Sequence, residues 1–399
     1  MKAAAARTSI MQKLDKSIFS TLFFSIFATV TGVGIVVPLL PVYARNLGAS
    51  GLYIGMIFGA FSFSRTILLP YFGRLSDKRG RKPFIVPGMF AYTIISIAFL
   101  FSNDVNSIIV LRFAQGAASA MLLPVIQAYV GDITPGGREG FTMGLFNMSL
   151  FLGLSLGPVL GGIIRDSFDL NAAFISMGCL SFIGFLLSFL LLPPTRDEMV
   201  VRRGRPPTEW KRLVQDRDIA GLFFFRLAYT ACIGIVWGFL PVLADTELSL
   251  SSSLIGILVM LGILVSGIIH VPMGYLADRI NKKLMVVVGG LIVSYAMFSF
   301  KWAGDFWETV WASLFFGIGG GISIPALTAM AVIIGDKTNA MGSVMALITV
   351  AHSLGMLVGA MLAGVMMDLF QLRQIFPLGM VIMGLGVGAF IICTKHPKG

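Results

Sequence analysis

The sequence predicts an all-α, polytopic membrane protein whose twelve transmembrane helices form two pseudo-symmetric six-helix bundles. Three observations carry that expectation. The first is composition: of 399 residues, 56% are hydrophobic and only 12% charged, with a mean hydropathy of +0.89. A water-soluble chain cannot bury that much apolar surface. The second is spacing. Crossing the hydrocarbon layer takes about 20 mostly apolar residues in a helix, and such stretches centre near residues 29, 62, 93, 118, 153, 182, 230, 262, 292, 320, 352 and 384. The third is internal repetition. GIVVPLLPVYA from Gly34 recurs as GIVWGFLPVLA from Gly234, identical at seven of eleven positions. GRLSD from Gly73 recurs as GYLAD from Gly274, Pro124 has a counterpart in Pro325, and SLGPVLGG from Ser155 recurs as SLGMLVGA from Ser353.

The N-terminal MKAAAARTSIMQKLDKS is basic, and the apolar stretch after it is too long for a signal-peptide core and lacks an A-x-A-like cleavage site. It reads as a cytoplasmic tail leading into a retained first helix. With that end inside, 23 Lys and Arg residues fall on the inner side, 4 on the outer side and 3 within spans. This asymmetry places both termini in the cytoplasm. The net charge of +11 is therefore topological, with attraction for anionic lipid as a secondary consequence, and no domain collects it as a nucleic-acid surface would require.

The first loop on the inner side, GRLSDKRGRKP, spans residues 73–83. Gly73 allows close helix approach, Gly80 a tight turn, and Asp77 among Lys78, Arg79, Arg81 and Lys82 can form a charge cluster that latches neighbouring helices. An ordinary basic loop explains the cations but not the acid, nor the repeated copy ending at Asp278. The fourth span carries Arg112 in LRFAQGAASA, about two turns from its outer end. An arginine at such depth costs at least ~2.5 kcal/mol on insertion scales and normally faces a cavity or a partner, the alternative being to snorkel to the headgroups. Arg65 in the second span and Arg226 in the seventh pose the same choice. Gln115, Gln127 and Asn147 are polar groups inside spans that could line a cavity or bond between helices.

In the fifth span, GLSLGPVLGG contains a G-x-S-x-G match at Gly153, Ser155 and Gly157. A nucleophile elbow needs a strand-to-helix turn, whereas this segment is the middle of an apolar helix, even though the intramembrane His270 and His352 could serve as bases. Gly153, Gly157 and Gly161 at four-residue spacing instead form a small-residue face for close helix contact, and Pro158 favours a bend. His352 lies near mid-span, three residues from Gly355, and is able to titrate near neutral pH. Residues 193–217, rich in Pro and both charge signs, read as a cytoplasmic linker between halves 1–192 and 218–399. Cys179, Cys232 and Cys393 have no metal-ligand spacing and imply no disulfide framework, so no metal is expected.

All 19 acidic residues fall in loops or at span ends, with Asp15 and Asp132 nearest to membrane depth. Two halves in the same orientation are a mark of secondary transporters.

Three motifs point to one family. GRLSDKRGRKP, RFAQGAASA from Arg112 and GLSLGPVLGG resemble the loop motif, the fourth-helix arginine motif and the fifth-helix antiporter motif of the major facilitator superfamily, in its twelve-span drug:proton antiporter branch. That resemblance implies the major facilitator fold. It implies a latch of the outward-facing state at Gly73, Asp77 and Arg81 with Asp132 as partner, and Asp278 in the repeated copy. Arg112 would take part in proton coupling, with Asp15 and His352 as further candidates. Gly153, Gly157, Pro158, Gly161 and Gly162 would form a bend and the close contact between halves. Cation exporters of this branch place an acid within the first span, where this chain has only Thr29, Thr31 and small or apolar residues. The expectation is a monomeric, proton-driven exporter of neutral or anionic amphipathic molecules in a bacterial inner membrane, needing no cofactor and catalysing no reaction. A metabolite, sugar or lipid exporter, and a sensor or scaffold without transport, are the alternatives.

Overall fold

The structure, a computed structural model, describes residues 16–134, 139–193, 213, 215–277, 279–338 and 341–395. Twelve helices among these are long and apolar enough to cross a membrane. Spans 1 to 6 are Lys16–Asn46, Gly51–Arg79, Lys82–Phe99, Val105–Ile133, Thr142–Ser167 and Leu170–Leu191. Spans 7 to 12 are Arg217–Thr246, Ser252–Ala277, Lys282–Trp302, Phe306–Gly335, Ser343–Leu369 and Leu372–Thr394. Helix is the natural choice here because each backbone amide must find its acceptor within the segment when water is absent. Span 1 breaks into Lys16–Val36 and Leu39–Asn46 at Pro38, which supplies no amide to the helical ladder.

Helix starts follow local chemistry. Asp104 accepts from the Ser107 amide at 2.9 Å ahead of span 4, Asp169 from Ala172 at 2.7 Å ahead of span 6, and Asp216 from Ile219 at 3.1 Å ahead of span 7. The Ser107 hydroxyl and amide hold the Asp104 carboxyl below its ordinary value, so this cap stays ionised well into acid. Span 2 differs, for Ser50 at its start makes no side-chain cap.

Packing repeats with a six-span period. Span 1 packs on spans 5 and 6 as span 7 packs on 11 and 12; spans 2 and 4 pair as 8 and 10 do; and spans 3 and 6 pair as 9 and 12 do. The two halves meet chiefly where span 2 crosses span 11 and span 5 crosses span 8, contacts that exchange under the same period. The six-helix halves are thus related by pseudo-symmetry, as the repeats required.

Candidate functional site

The halves close on each other at the face where spans 2 and 8 begin. Backbones touch there because side chains are missing: a Cβ on Gly51 would lie 2.4 Å from Gly364 O, and one on Gly55 2.5 Å from Ala360 O. Across the other crossing, a Cβ on Gly162 would lie 2.2 Å from Ser252 O, and one on Gly256 2.3 Å from Pro158 O. Each seam is tied by one carboxylate. Asp368, at the end of span 11, accepts from the Gly51 and Leu52 amides at 2.6 and 2.8 Å. Asp166, at the end of span 5, accepts from the Ser252 and Ser253 amides at 3.0 and 2.7 Å, and from the Ser253 hydroxyl at 2.6 Å. Spans 2 and 8 therefore receive first-turn acceptors from the opposite half, an arrangement also favoured by the positive end of each helix dipole. At the other ends of these helices the contact is lost. A Cβ on Gly73 or Gly274 would meet nothing within 4 Å, and Tyr71, Val271 and Tyr275 are exposed.

Above this seam the halves enclose a cavity of two lobes, about 260 Å³ on the side of spans 1, 2 and 4 and about 250 Å³ on the side of spans 7, 8 and 10. Leu154, Ile233, Trp237 and His352 line both lobes and join them. Arg65, Arg112 and Tyr92 line the first lobe; Arg226, Tyr229 and His270 line the second; the rest of the walls is mainly aliphatic and aromatic. Among the described residues, no Asp or Glu lines either lobe.

The three arginines have different partners. Arg112 is 3% exposed, so it does not snorkel. Its Nε donates to Ile57 O at 3.2 Å and its Nη1 to Gln115 Oε1 at 3.0 Å, while its guanidinium lies 5.2 and 4.6 Å from the Phe58 and Phe61 rings. Arg226 donates through Nη2 to His352 Nδ1 at 3.1 Å, linking span 7 to span 11, but its Nε is buried without a partner. The Nε of Arg65 is also buried without a partner. The His270 ring lies beside Phe151, centroids 5.8 Å apart and planes tilted at 49°.

The structure rearranges several residues the sequence had grouped. Gln115 is buried but turned to Arg112 and to Met177 Sδ, outside the cavity lining. Gln127 is exposed and Asn147 half-buried, and neither lines a lobe. The glycine face of span 5 serves mostly its own half: a Cβ on Gly157 would lie 2.6 Å from Gly34 Cα, one on Gly161 2.1 Å from Ile35 O, and one on Gly153 3.1 Å from the Thr31 amide nitrogen. Pro158, Val159 and Gly162 of that motif reach the other half, the first two against Gly256 and the last against Ser252 of span 8. The reason is helical: residues four apart share a face, whereas Gly162 follows Gly161 and so turns towards a different neighbour. Ser155 is buried with its Oγ unpartnered, and no base approaches it.

In the loop after span 2, Gly80 has φ +89°, a conformation that favours glycine. Arg81 gathers three acceptors, the Ser76 hydroxyl at 2.8 Å, Asp77 at 2.6 Å and Asp132 at 3.0 Å. Asp77 keeps 63% of its side chain exposed, so in this conformation the cluster ties span 2 to span 4 within one half. Asp15 and Asp278 lie outside the described residues. Sequence reasoning missed Asp166 and Asp368 as cross-half caps, and Tyr92, Tyr229 and Trp237 as cavity walls; the acids looked like ordinary span ends.

The sequence model described as Major Facilitator Superfamily matches residues 22–360. The chain belongs to the Major Facilitator Superfamily. Among its relatives in this superfamily is an uncharacterized MFS-type transporter of Methanocaldococcus jannaschii, 28% identical over 375 residues, which cover 92% of this chain and 95% of that protein. Quinolone resistance protein NorA of Staphylococcus aureus is 30% identical over 179 residues, 45% of this chain and 46% of NorA. Superfamily members of solved structure share the fold at lower identity. A bacterial homolog of the human lysosomal transporter Spinster, in an inward-facing and occupied conformation, superposes with a TM-score of 0.81 at 12% identity, covering 97% of this chain and 99% of that one. The human organic anion transporter MFSD10 superposes with a TM-score of 0.68 at 18% identity, covering 95% and 100%. The protein is a multi-pass membrane protein of a transporter family.

Proposed function

We propose that this protein is a proton-coupled exporter of amphipathic organic molecules, anionic or neutral, working by alternating access between its halves. The observation that carries this reading is the cavity: three arginines and two histidines line it, and among the described residues no carboxylate does. A permanent organic cation at roughly 7 Å from one guanidinium is repelled by about 2 kcal/mol at an effective dielectric of 20, and each further arginine adds to this. An anion is attracted by the same field. The partial match to a quinolone resistance protein and the fold shared with an organic anion transporter favour drug-like and anionic cargo.

With no acid lining the cavity among the described residues, His352 is the proposed proton carrier. Its Nδ1 accepts from Arg226, so the neutral ring carries its proton on Nε2. A proton added at Nδ1 turns an accepting atom into a donor facing a guanidinium, and the pair separates. Arg226, on span 7, is the charged group bonded to His352, and Arg65, on span 2, lines the lobe that shares it. Positive-inside topology sets the open side of the cavity, where residues 73–83 lie, in the cytoplasm of a bacterium. The protein works as a monomer in the inner membrane, takes a small-molecule substrate, protons and surrounding lipid as its partners, and draws on the proton gradient instead of a cofactor or a catalysed reaction.

Proteoliposomes with an imposed pH gradient, loaded in parallel with organic anions, neutral antibiotics and quaternary ammonium dyes, test the proposal. Gradient-dependent movement of anions or neutral amphiphiles is expected, with the quaternary dyes left behind. Robust transport of those dyes would refute the charge argument, and transport indifferent to the gradient would refute the coupling.

A further inference from the structure

The three arginines are not equivalent, and the difference points to which of them meets the cargo. Arg112 donates through Nε to Ile57 O and through Nη1 to Gln115, and its guanidinium lies against the Phe58 and Phe61 rings. Arg65 and Arg226 each line a lobe and each hold a buried Nε without an acceptor. They belong to opposite halves, on spans 2 and 7; Arg226 donates to His352, which lies in the wall common to both lobes, and Arg65 lines the first of those lobes beside it. A buried donor on a charged group left unpaired is costly, and two guanidiniums in joined lobes of one cavity repel each other. An anion seated between them satisfies the donors and removes the repulsion.

We infer that the cavity binds an amphipathic organic monoanion, its carboxylate or sulfonate bridging Arg65 and Arg226 across the two halves and its apolar body resting on Phe61, Ile233 and Trp237. This rests on reading the cavity as the substrate site of an exporter. Arg65 and Arg226 line lobes that share His352, and most of the remaining lining of both lobes is aliphatic or aromatic, so the site suits one charged head and a greasy body. Guanidinium planes suit this task, since one fork can offer parallel donors to both oxygens of the head. Bridging also gives the bound anion a mechanical role, because it draws spans of opposite halves towards each other.

The test is a matched pair of probes, 1-pyrenebutyrate and its primary amide, which differ chiefly in charge. Binding to the purified full-length protein in lipid nanodiscs is followed by quenching of tryptophan, Trp237 being in the wall of both lobes. The carboxylate is expected to bind at least tenfold more tightly than the amide. Arg65→Gln and Arg226→Gln should each weaken carboxylate binding tenfold or more while changing amide binding less than threefold, with Arg65→Lys restoring part of the loss. Unaltered melting temperatures identify variants that fold. Equal binding of carboxylate and amide to the unmodified protein overturns the inference without any variant, and so does equal loss of both probes in folded variants. Charge-selective binding without gradient-driven movement in proteoliposomes leaves the anion site standing and refutes the exporter reading. Gradient-driven movement of neutral amphiphiles with no carboxylate preference does the reverse.

Discussion

The carboxylates that tie the closed seam can be removed one at a time and together, and the consequence can be worked out from their hydrogen bonds. Asp368→Ala deletes the acceptor for the Gly51 and Leu52 amides, and Asp166→Ala the acceptor for the Ser252 and Ser253 amides. Losing a helix N-cap costs typically ~1 kcal/mol, a cost that applies to each tie alike. Each single variant should raise the ratio of seam-open to seam-closed molecules about fivefold, and the double variant, losing ~2 kcal/mol in total, about 30-fold. The two ties sit at separate helix crossings and share no partner, so their effects should add. Spin labels on F168C and F370C, both exposed beyond the seam on opposite halves, report the opening as a longer distance component in double electron–electron resonance, with Cys179 and Cys393 replaced. An unchanged distance distribution in a folded double variant would refute the reasoning, as would one single variant producing the whole effect.

Other substitutions separate packing from chemistry. Gly157→Ala forces a Cβ against the Gly34 backbone, which cannot yield as a side chain can, and should cost ~1 to 3 kcal/mol in thermal stability. Ser155→Ala removes a buried, unpartnered hydroxyl and should be neutral or mildly stabilising, with transport retained; loss of activity on Ser155→Ala with Gly157→Ala silent would revive a nucleophilic role. Asp132→Asn should lower the melting temperature more than Asp77→Asn, because Asp132 is the less exposed partner of Arg81, while Asp77→Asn should slow transport with normal expression. Arg112→Ala strands Ile57 O and Gln115 and empties a slot between two phenylalanines, so melting temperature and gradient-driven export should both fall; wild-type values of either would contradict the buried anchor.

Much of this molecule is readable from sequence because its constraints are local. Length and apolarity specify each span, and the matches from Gly34 to Gly234 and from Ser155 to Ser353 foretell the six-span period of packing. Partner choice is less readable. Four-residue spacing marks Gly153, Gly157 and Gly161 as one face, but the neighbour that fills it, span 1 rather than the other half, depends on how helices are arranged in three dimensions. The seam acids show a subtler limit. Gly51 and Ser252 are equivalent under the repeat, yet Asp166 stands eleven residues after Ser155 and Asp368 fifteen after Ser353, about one helical turn apart. Repeat alignment alone therefore does not pair them, and only the crossing of helices does. Cavity composition was partly legible: Arg65, Arg112 and Arg226 stood out as intramembrane cations, whereas Gln115 and Gln127 looked equally suitable and face elsewhere.

The seam where Gly51 meets Gly364 and Gly162 meets Ser252 has a consequence for how the molecule moves. Long side chains at a boundary stretch and re-pack as it widens, giving a gradual response. Main chain against main chain has no such slack, because dispersion contacts and capping hydrogen bonds both vanish within an ångström or so of separation. The boundary behaves like a snap fastener: partial opening loses nearly everything full opening would lose, so intermediate widths are scarce and the switch is steep. The same close approach of main chains leaves little width for solvent along the seam.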